Sequence, residues 1–137
     1  MFAITREPID VEAVAASVRA LGFGGVVTFV GLVRDRADDG AQVDGLEYEA
    51  HAGMALDTFE RIAQRLRERY GELNVAIVHR DGALRVGEVA VAVAVAAPHR
   101  KEAFAACAEA IDALKSEAPI WKKERYRDGS GRWRENA

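Results

Sequence analysis

The sequence predicts an α+β fold, with an antiparallel or mixed sheet covered by helices. Three observations carry this reading. The apolar pattern switches along the chain between strand-like alternation and helix-like spacing. The elements that result follow the mixed order α-β-β-α-β-β-β-α-β. Several of their connections are of hairpin length, which argues for antiparallel pairing. The 137 residues are half hydrophobic and 30% charged, so one domain spanning 1–137, with a core of its own, is expected.

Each element has a local reason. Asp10 is placed to cap a short amphipathic helix from Val11 to Leu21, and Gly22, Gly24 and Gly25 end it. Val26 to Val33 is rich in β-branched residues and reads as a buried strand, with Arg34 directly at its end. Asp35 to Gln42 is a polar loop. Val43 to Glu49 alternates and reads as the next strand, roughly antiparallel to the first. Met54 to Tyr70 carries Leu56, Phe59, Ile62, Ala63 and Leu66 at helical spacing beneath an arginine-rich outer face, and Gly71 stops it. Leu73 to Arg80 is a strand, Asp81-Gly82 a turn, and Ala83 to Val86 a short strand.

From Glu88 to Ala97 valine alternates with alanine, so both faces are apolar and the strand is central. The alanine face leaves room for a closely packed helix. Pro98 suits the first turn of a long helix reaching about Lys115, with Phe104, Cys107, Ile111 and Leu114 as its core stripe. Pro119 ends that helix. Ile120 to Tyr126 is extended, and Gly129 to Gly131 turns the chain before Trp133.

Composition removes several function classes. A single cysteine, Cys107, excludes an intrachain disulfide and a cysteine-based metal site. His51, His79 and His99 lack metal-ligand spacing, and no Ser/His/Asp constellation is visible. No basic segment followed by an apolar core opens the chain, and its longest apolar run, Val89 to Ala97, falls far short of the ~20 residues of a membrane helix. A cytoplasmic location without membrane contact is expected. The net charge of −3 argues against a generic nucleic-acid binder. That charge is segregated: Lys115 to Ala137 carries +3, whereas Asp35 to Glu49 holds six acids against Arg36 alone. The basic segment suggests an anionic ligand or partner.

Three places could carry chemistry. Arg34, at a strand end beside a loop, offers a rigid fork of donors for phosphate or carboxylate, and could equally pair with the acids next to it. Pro98-His99-Arg100-Lys101 gathers cations at a helix start, where the dipole disfavours them unless an anion is bound. The stretch Lys115 to Glu124 holds three of the chain's four lysines, against fifteen arginines. A lysine here is more informative than an arginine, because only lysine supplies a compact amine of tunable pKa. Lys122 and Lys123 are adjacent in an extended segment and must point to opposite sides. Lys115 and Lys122 converging on one pocket would depress each other's pKa. His99 and Lys115 are sixteen residues apart on one helix, about 24 Å at 1.5 Å per residue. Serving one site together therefore requires a long ligand or a second subunit, and a two-fold dimer with sites across its interface is expected.

Six stretches in this order and spacing resemble one family. They are Thr28-Phe29-Val30-Gly31-Leu32-Val33-Arg34, Leu46-Glu47-Tyr48, His79-Arg80-Asp81-Gly82, Val86-Gly87-Glu88, Pro98-His99-Arg100, and Leu114-Lys115 with Ala118-Pro119-Ile120-Trp121-Lys122-Lys123-Glu124. Together, from about Gly24 to Trp133, they are similar to the large, catalytic subunits of molybdopterin synthase. The resemblance implies an α+β fold with a β-hammerhead element. It implies a sulfurtransferase of molybdenum cofactor biosynthesis that converts cyclic pyranopterin monophosphate (precursor Z) to molybdopterin, with no metal or cofactor for this step. The two sulfurs would come from the C-terminal thiocarboxylate of a small ubiquitin-like β-grasp subunit ending in Gly-Gly. The assembly would be a heterotetramer built on a homodimer of large subunits. By the same resemblance Lys115 and Lys122 are catalytic, Arg34, His99 and Arg100 bind the substrate, and Phe29 lines the pterin pocket. The alternative is a non-enzymatic dimeric module binding an anionic ligand or RNA through the basic segment, which would show broad salt sensitivity.

Overall fold

The computed structural model describes residues 1–135, whose strands form two four-stranded sheets. The first sheet has the spatial order β1 (Phe2–Thr5), β4 (Asn74–Arg80), β6 (Val89–Ala97) and β2 (Gly25–Leu32). In it β1 runs parallel to β4, and the other pairs are antiparallel. The second sheet is antiparallel throughout, in the order β5 (Gly82–Arg85), β3 (Val43–Ala50), β7 (Ile120–Tyr126) and β8 (Gly131–Glu135). Three helices complete the α+β fold: α1 (Val11–Ser17), α2 (Ala52–Tyr70) and α3 (Arg100–Glu117).

β6 organises the core as its sequence predicts. Val91, Val93 and Val95 face a large cluster that includes Phe59, Ile62 and Leu66 of α2 and Cys107 and Leu114 of α3. Full burial of such a side chain contributes about 1.5–3 kcal/mol. Ala92, Ala94 and Ala96 face a smaller cluster completed by Val14 and Val18, so the helix against the alanine face is the short α1. Asp10 caps α1, accepting from the Ala13 amide at 3.1 Å. Gly71 ends α2 at φ +87°, a conformation that costs glycine little.

Several elements depart from expectation. β1 was not anticipated. β3 does not pair with β2, because the 33–42 segment carries the chain from the first sheet to the second. Val33 still bonds the first sheet through Glu88, whereas Arg36 bridges to Gln42 at the entry to β3. The chain crosses between sheets again at Gly82 and Gly87, both near φ +90°, so Asp81-Gly82 is a corner and not a hairpin turn. α1 is shorter than expected and closes at Val18. α3 begins at Arg100, with His99 as its N-cap, so Pro98 lies outside the helix. β6 runs on to Ala97, and a residue before proline favours that extended backbone.

The core stripe of α3 is also rotated from the expected one. Ala103, Ala106, Cys107, Ala110, Ala113 and Leu114 are buried, while Phe104 is 62% exposed. Small side chains let α3 approach the sheet closely, and Cys107 takes the core role expected of it.

The segregated charge is largely consumed inside the fold. β3 and β7 are neighbours, so the acidic block meets the basic segment. Arg125 pairs with Glu47 at 2.9 Å, Arg127 with Asp44 at 3.5 Å, and Arg134 with Asp39 at 3.4 Å. On α2, Arg65 grips Glu117 through two bonds of 2.8 and 2.6 Å, and Arg69 pairs with Glu109 at 3.0 Å. Arg67 donates to the Leu73 carbonyl and Arg61 to the Thr58 hydroxyl, so all four arginines of the α2 face have partners within the fold.

Candidate active site

Arg34, Arg36, Lys115 and Lys122 gather around one cavity of about 320 Å³ between the two sheets and the end of α3. Its walls come from four places in the chain. Arg34 and Arg36 follow β2, where the chain leaves the first sheet. Tyr48 of β3 and Lys122 of β7 are directly opposed cross-strand partners, so both project from one face. Leu46 and Glu124 are the next opposed pair on that face. Lys115, in the last turn of α3, closes the set.

The acids in the cavity are already engaged. Asp38 accepts from Arg34 at 2.7 Å, and this bond holds its carboxyl below the usual range. Glu124 is buried, pairs with Arg134, and accepts from the Tyr126 hydroxyl at 3.1 Å. The lysines therefore face a site with an excess of positive charge. Burial lowers the pKa of Lys115, and the charges of Lys122 and Arg34 lower it further. Burial is the larger cause, and the neighbouring cations act in the same direction. An amine so placed can receive an anion, and its lowered pKa makes it a readier proton donor than an exposed lysine. Burial pushes the Tyr48 phenol up to about 12, so it stays protonated as a donor beside the lysines.

The other residues singled out from sequence lie elsewhere in the chain. Lys123 projects from the opposite face of β7, with its ammonium 5.8 Å from the Trp133 ring centroid. His99 and Arg100 sit at the far end of α3, against the start of β2, where the Gly24 amide donates to the Pro98 carbonyl at 3.1 Å. Phe29, 38% exposed in the middle of β2, is outside the cavity lining. Within one chain, then, Arg34, Lys115 and Lys122 come together, and His99, Arg100 and Phe29 do not. Sequence reasoning missed Arg36, Asp38, Tyr48 and Glu124. The alternation of β3 was the available signal for Tyr48, since it puts 46 and 48 on one face.

Residues 4–117 match the family profile described as MoaE protein. The chain belongs to the MoaE family. Among relatives, the molybdopterin synthase catalytic subunit of Nostoc sp. is 48% identical over 133 residues, covering 96% of this chain and 80% of that protein. The subunit of the same description from Bacillus subtilis is 41% identical over 93% of this chain and 81% of its own length. Among solved structures, molybdopterin synthase from Staphylococcus aureus superposes with a TM-score of 0.90 at 37% identity, over 96% of this chain and 94% of that one. This MoaE-family chain therefore shares its fold with the Staphylococcus aureus protein.

Proposed function

We propose that this MoaE-family chain is the catalytic subunit of a molybdopterin synthase, a sulfurtransferase converting precursor Z to molybdopterin in molybdenum cofactor biosynthesis. The convergence of Lys115, Lys122 and Arg34 on one polar cavity carries the reading of the site. Both substrates it would handle are anionic. One is a pterin monophosphate. The other is the thiocarboxylated Gly-Gly tail of a small β-grasp subunit, which enters as an extended strand. Lys115 holds and activates the incoming thiocarboxylate. Lys122 faces the same point, donating a proton to or stabilising the anion that develops during sulfur transfer. Arg34 binds the phosphate with a planar fork of donors.

His99 and Arg100 complete the substrate site from a second copy of the chain. β2 is an edge strand of the first sheet and carries exposed Val26, Phe29 and Leu32, while Phe104 is exposed on α3. Two such flanks apposed antiparallel would bring the start of one α3 to the strand end of its partner. Phe29 then lies in the interface beside the pterin. This homodimer would be the centre of a heterotetramer working in the cytoplasm.

The test is reconstitution with precursor Z and a thiocarboxylated β-grasp partner, reading the dithiolene pterin as its fluorescent oxidation product. Lys115→Ala is expected to reduce product at least 100-fold, roughly the loss of a transition-state contact, whereas Lys123→Ala keeps wild-type output. Full turnover by a folded Lys115→Ala or Lys115→Arg protein would sink the assignment of Lys115.

A further inference from the structure

Beneath the cavity lies a buried imidazole that the proposed mechanism does not use. His79 is 1% exposed near the end of β4. Strand alternation puts it on the same face as Val75 and Ile77, both members of the large core. Its Nδ1 lies 2.6 Å from the Arg80 carbonyl oxygen. A carbonyl can only accept, so Nδ1 carries the proton and donates, which leaves Nε2 with its lone pair as an acceptor. The Tyr48 ring, whose residue lines the cavity with Lys115 and Lys122, meets His79 in a T-shaped contact with centroids 4.8 Å apart and planes at 79°. Tautomer and ring orientation are thereby both fixed.

The imidazole is therefore separated from the Lys115 cavity only by the thickness of the Tyr48 ring, because Tyr48 lines that cavity and touches His79. Consistent with this, the Lys115 charge adds to burial in lowering the His79 pKa. We propose that His79 is a positioning residue for Lys115: Nε2 accepts a hydrogen bond from the Lys115 ε-amino group, and Tyr48 holds the imidazole in the orientation that allows it. The proposal rests on Lys115 being the site's working amine. Its physical logic is the choice of acceptor. A lysine stem is flexible, and without a fixed partner its amine samples several rotamers. A carboxylate partner would fix the amine but also lock it as ammonium. A neutral imidazole fixes it without adding negative charge. Burial keeps His79 neutral with a pKa of about 4. The charged and titratable groups facing Lys115 are then Lys122, Glu124, Arg34, Asp38 and Tyr48. The two carboxylates among them are engaged by Arg134 and Arg34.

The chain's four lysines make the experiment direct, because the lysine Cε resonances can be resolved and titrated by NMR. His79→Asn keeps a donor near Nδ1 and removes the acceptor at Nε2. His79→Gln restores an acceptor near Nε2. The expected result is a Lys115 titration midpoint lowered by about one pH unit in His79→Asn and largely restored in His79→Gln, with Lys101 and Lys123 unmoved. In turnover assays kcat should fall roughly 10–100-fold in His79→Asn, as for a misplaced catalytic group. KM for the pterin should change by less than about twofold, because uniform binding is retained. The reciprocal variant Lys115→Met should move the His79 Nε2 nitrogen resonance, and it tests the contact even where a His79 variant does not fold. Unchanged Lys115 titration in folded His79→Asn, or an unmoved Nε2 resonance in Lys115→Met, overturns the proposal. An active Lys115→Ala protein would instead overturn the role of Lys115, leaving the NMR result to stand alone.

Discussion

A neutral buried imidazole ties the stability of this protein to pH in one direction. The His79 pKa is lowered from 6.5 to about 4 in the folded chain, first by burial. Below 6.5 the unfolded chain takes up a proton that the folded chain refuses. The stabilisation is complete above pH 6.5 and is lost as pH falls toward 4, about 3 kcal/mol in all. Roughly 2 kcal/mol of that should disappear between pH 7 and pH 5. Asp38, Glu47 and Glu117 are held below their usual carboxylate range, so they begin to protonate only at lower pH. Urea midpoints measured at pH 7 and 5 should differ accordingly in wild type, and His79→Gln should flatten the difference. Equal slopes in the two proteins would mean that His79 titrates normally. The same residue shows where sequence reading stops. Lys115, Lys122 and Arg34 were legible because lysine is scarce here and strand and helix ends are readable. A histidine inside an apolar strand looks alike whether it fills space or holds a lysine. The difference lies in the next residue's carbonyl, which fixes the tautomer, and in a ring brought from β3.

At the scale of elements, α3 has two duties that compete for the same side chains. It must seat against the sheet closely enough to bring Lys115 to the cavity, and it does so with alanines. Ala103, Ala106 and Ala110 are fully buried against the sheet side. Ala110→Leu should cost about 1–3 kcal/mol through overpacking. It should also lower turnover more than its stability loss explains, because lifting the helix moves Lys115. A thermal melt paired with kcat at a temperature where both proteins are folded checks this. Loss of stability with kcat unchanged would show that the site tolerates helix displacement. The rotation of the α3 stripe away from Phe104 had the same cause. Hydrophobicity ranks phenylalanine above alanine, but the gap between helix and strand admits only the smaller side chain. β1 escaped notice because its four residues show no period and, unlike the equally short β5, follow no turn signal such as Asp81-Gly82. The pairing of β3 with β7 was hidden because the 33–42 segment is long enough to reach either sheet.

The whole molecule sets a distance that one chain cannot close. α3 separates His99 from Lys115 by about 24 Å. β2 separates the start of that flank from Arg34 by a similar length, since eight strand residues span about 26 Å. The two cation groups stand at opposite ends of one strand–helix flank. In the proposed homodimer, a two-fold axis across that flank would bring unlike ends together twice, giving two composite sites per dimer. The arrangement can be tested by mixing lesions. Lys115→Ala and Arg100→Ala homodimers should each be nearly inactive. Co-expressed at equal levels and pairing at random, half of the dimers are mixed. Each mixed dimer has one doubly damaged site and one intact site, so activity should recover to about a quarter of wild type. If His99 and Arg100 served the site of their own chain, every site in the mixture would keep one lesion and nothing would be recovered. Activity from purified, differentially tagged mixed dimers therefore decides between a shared site and two separate ones.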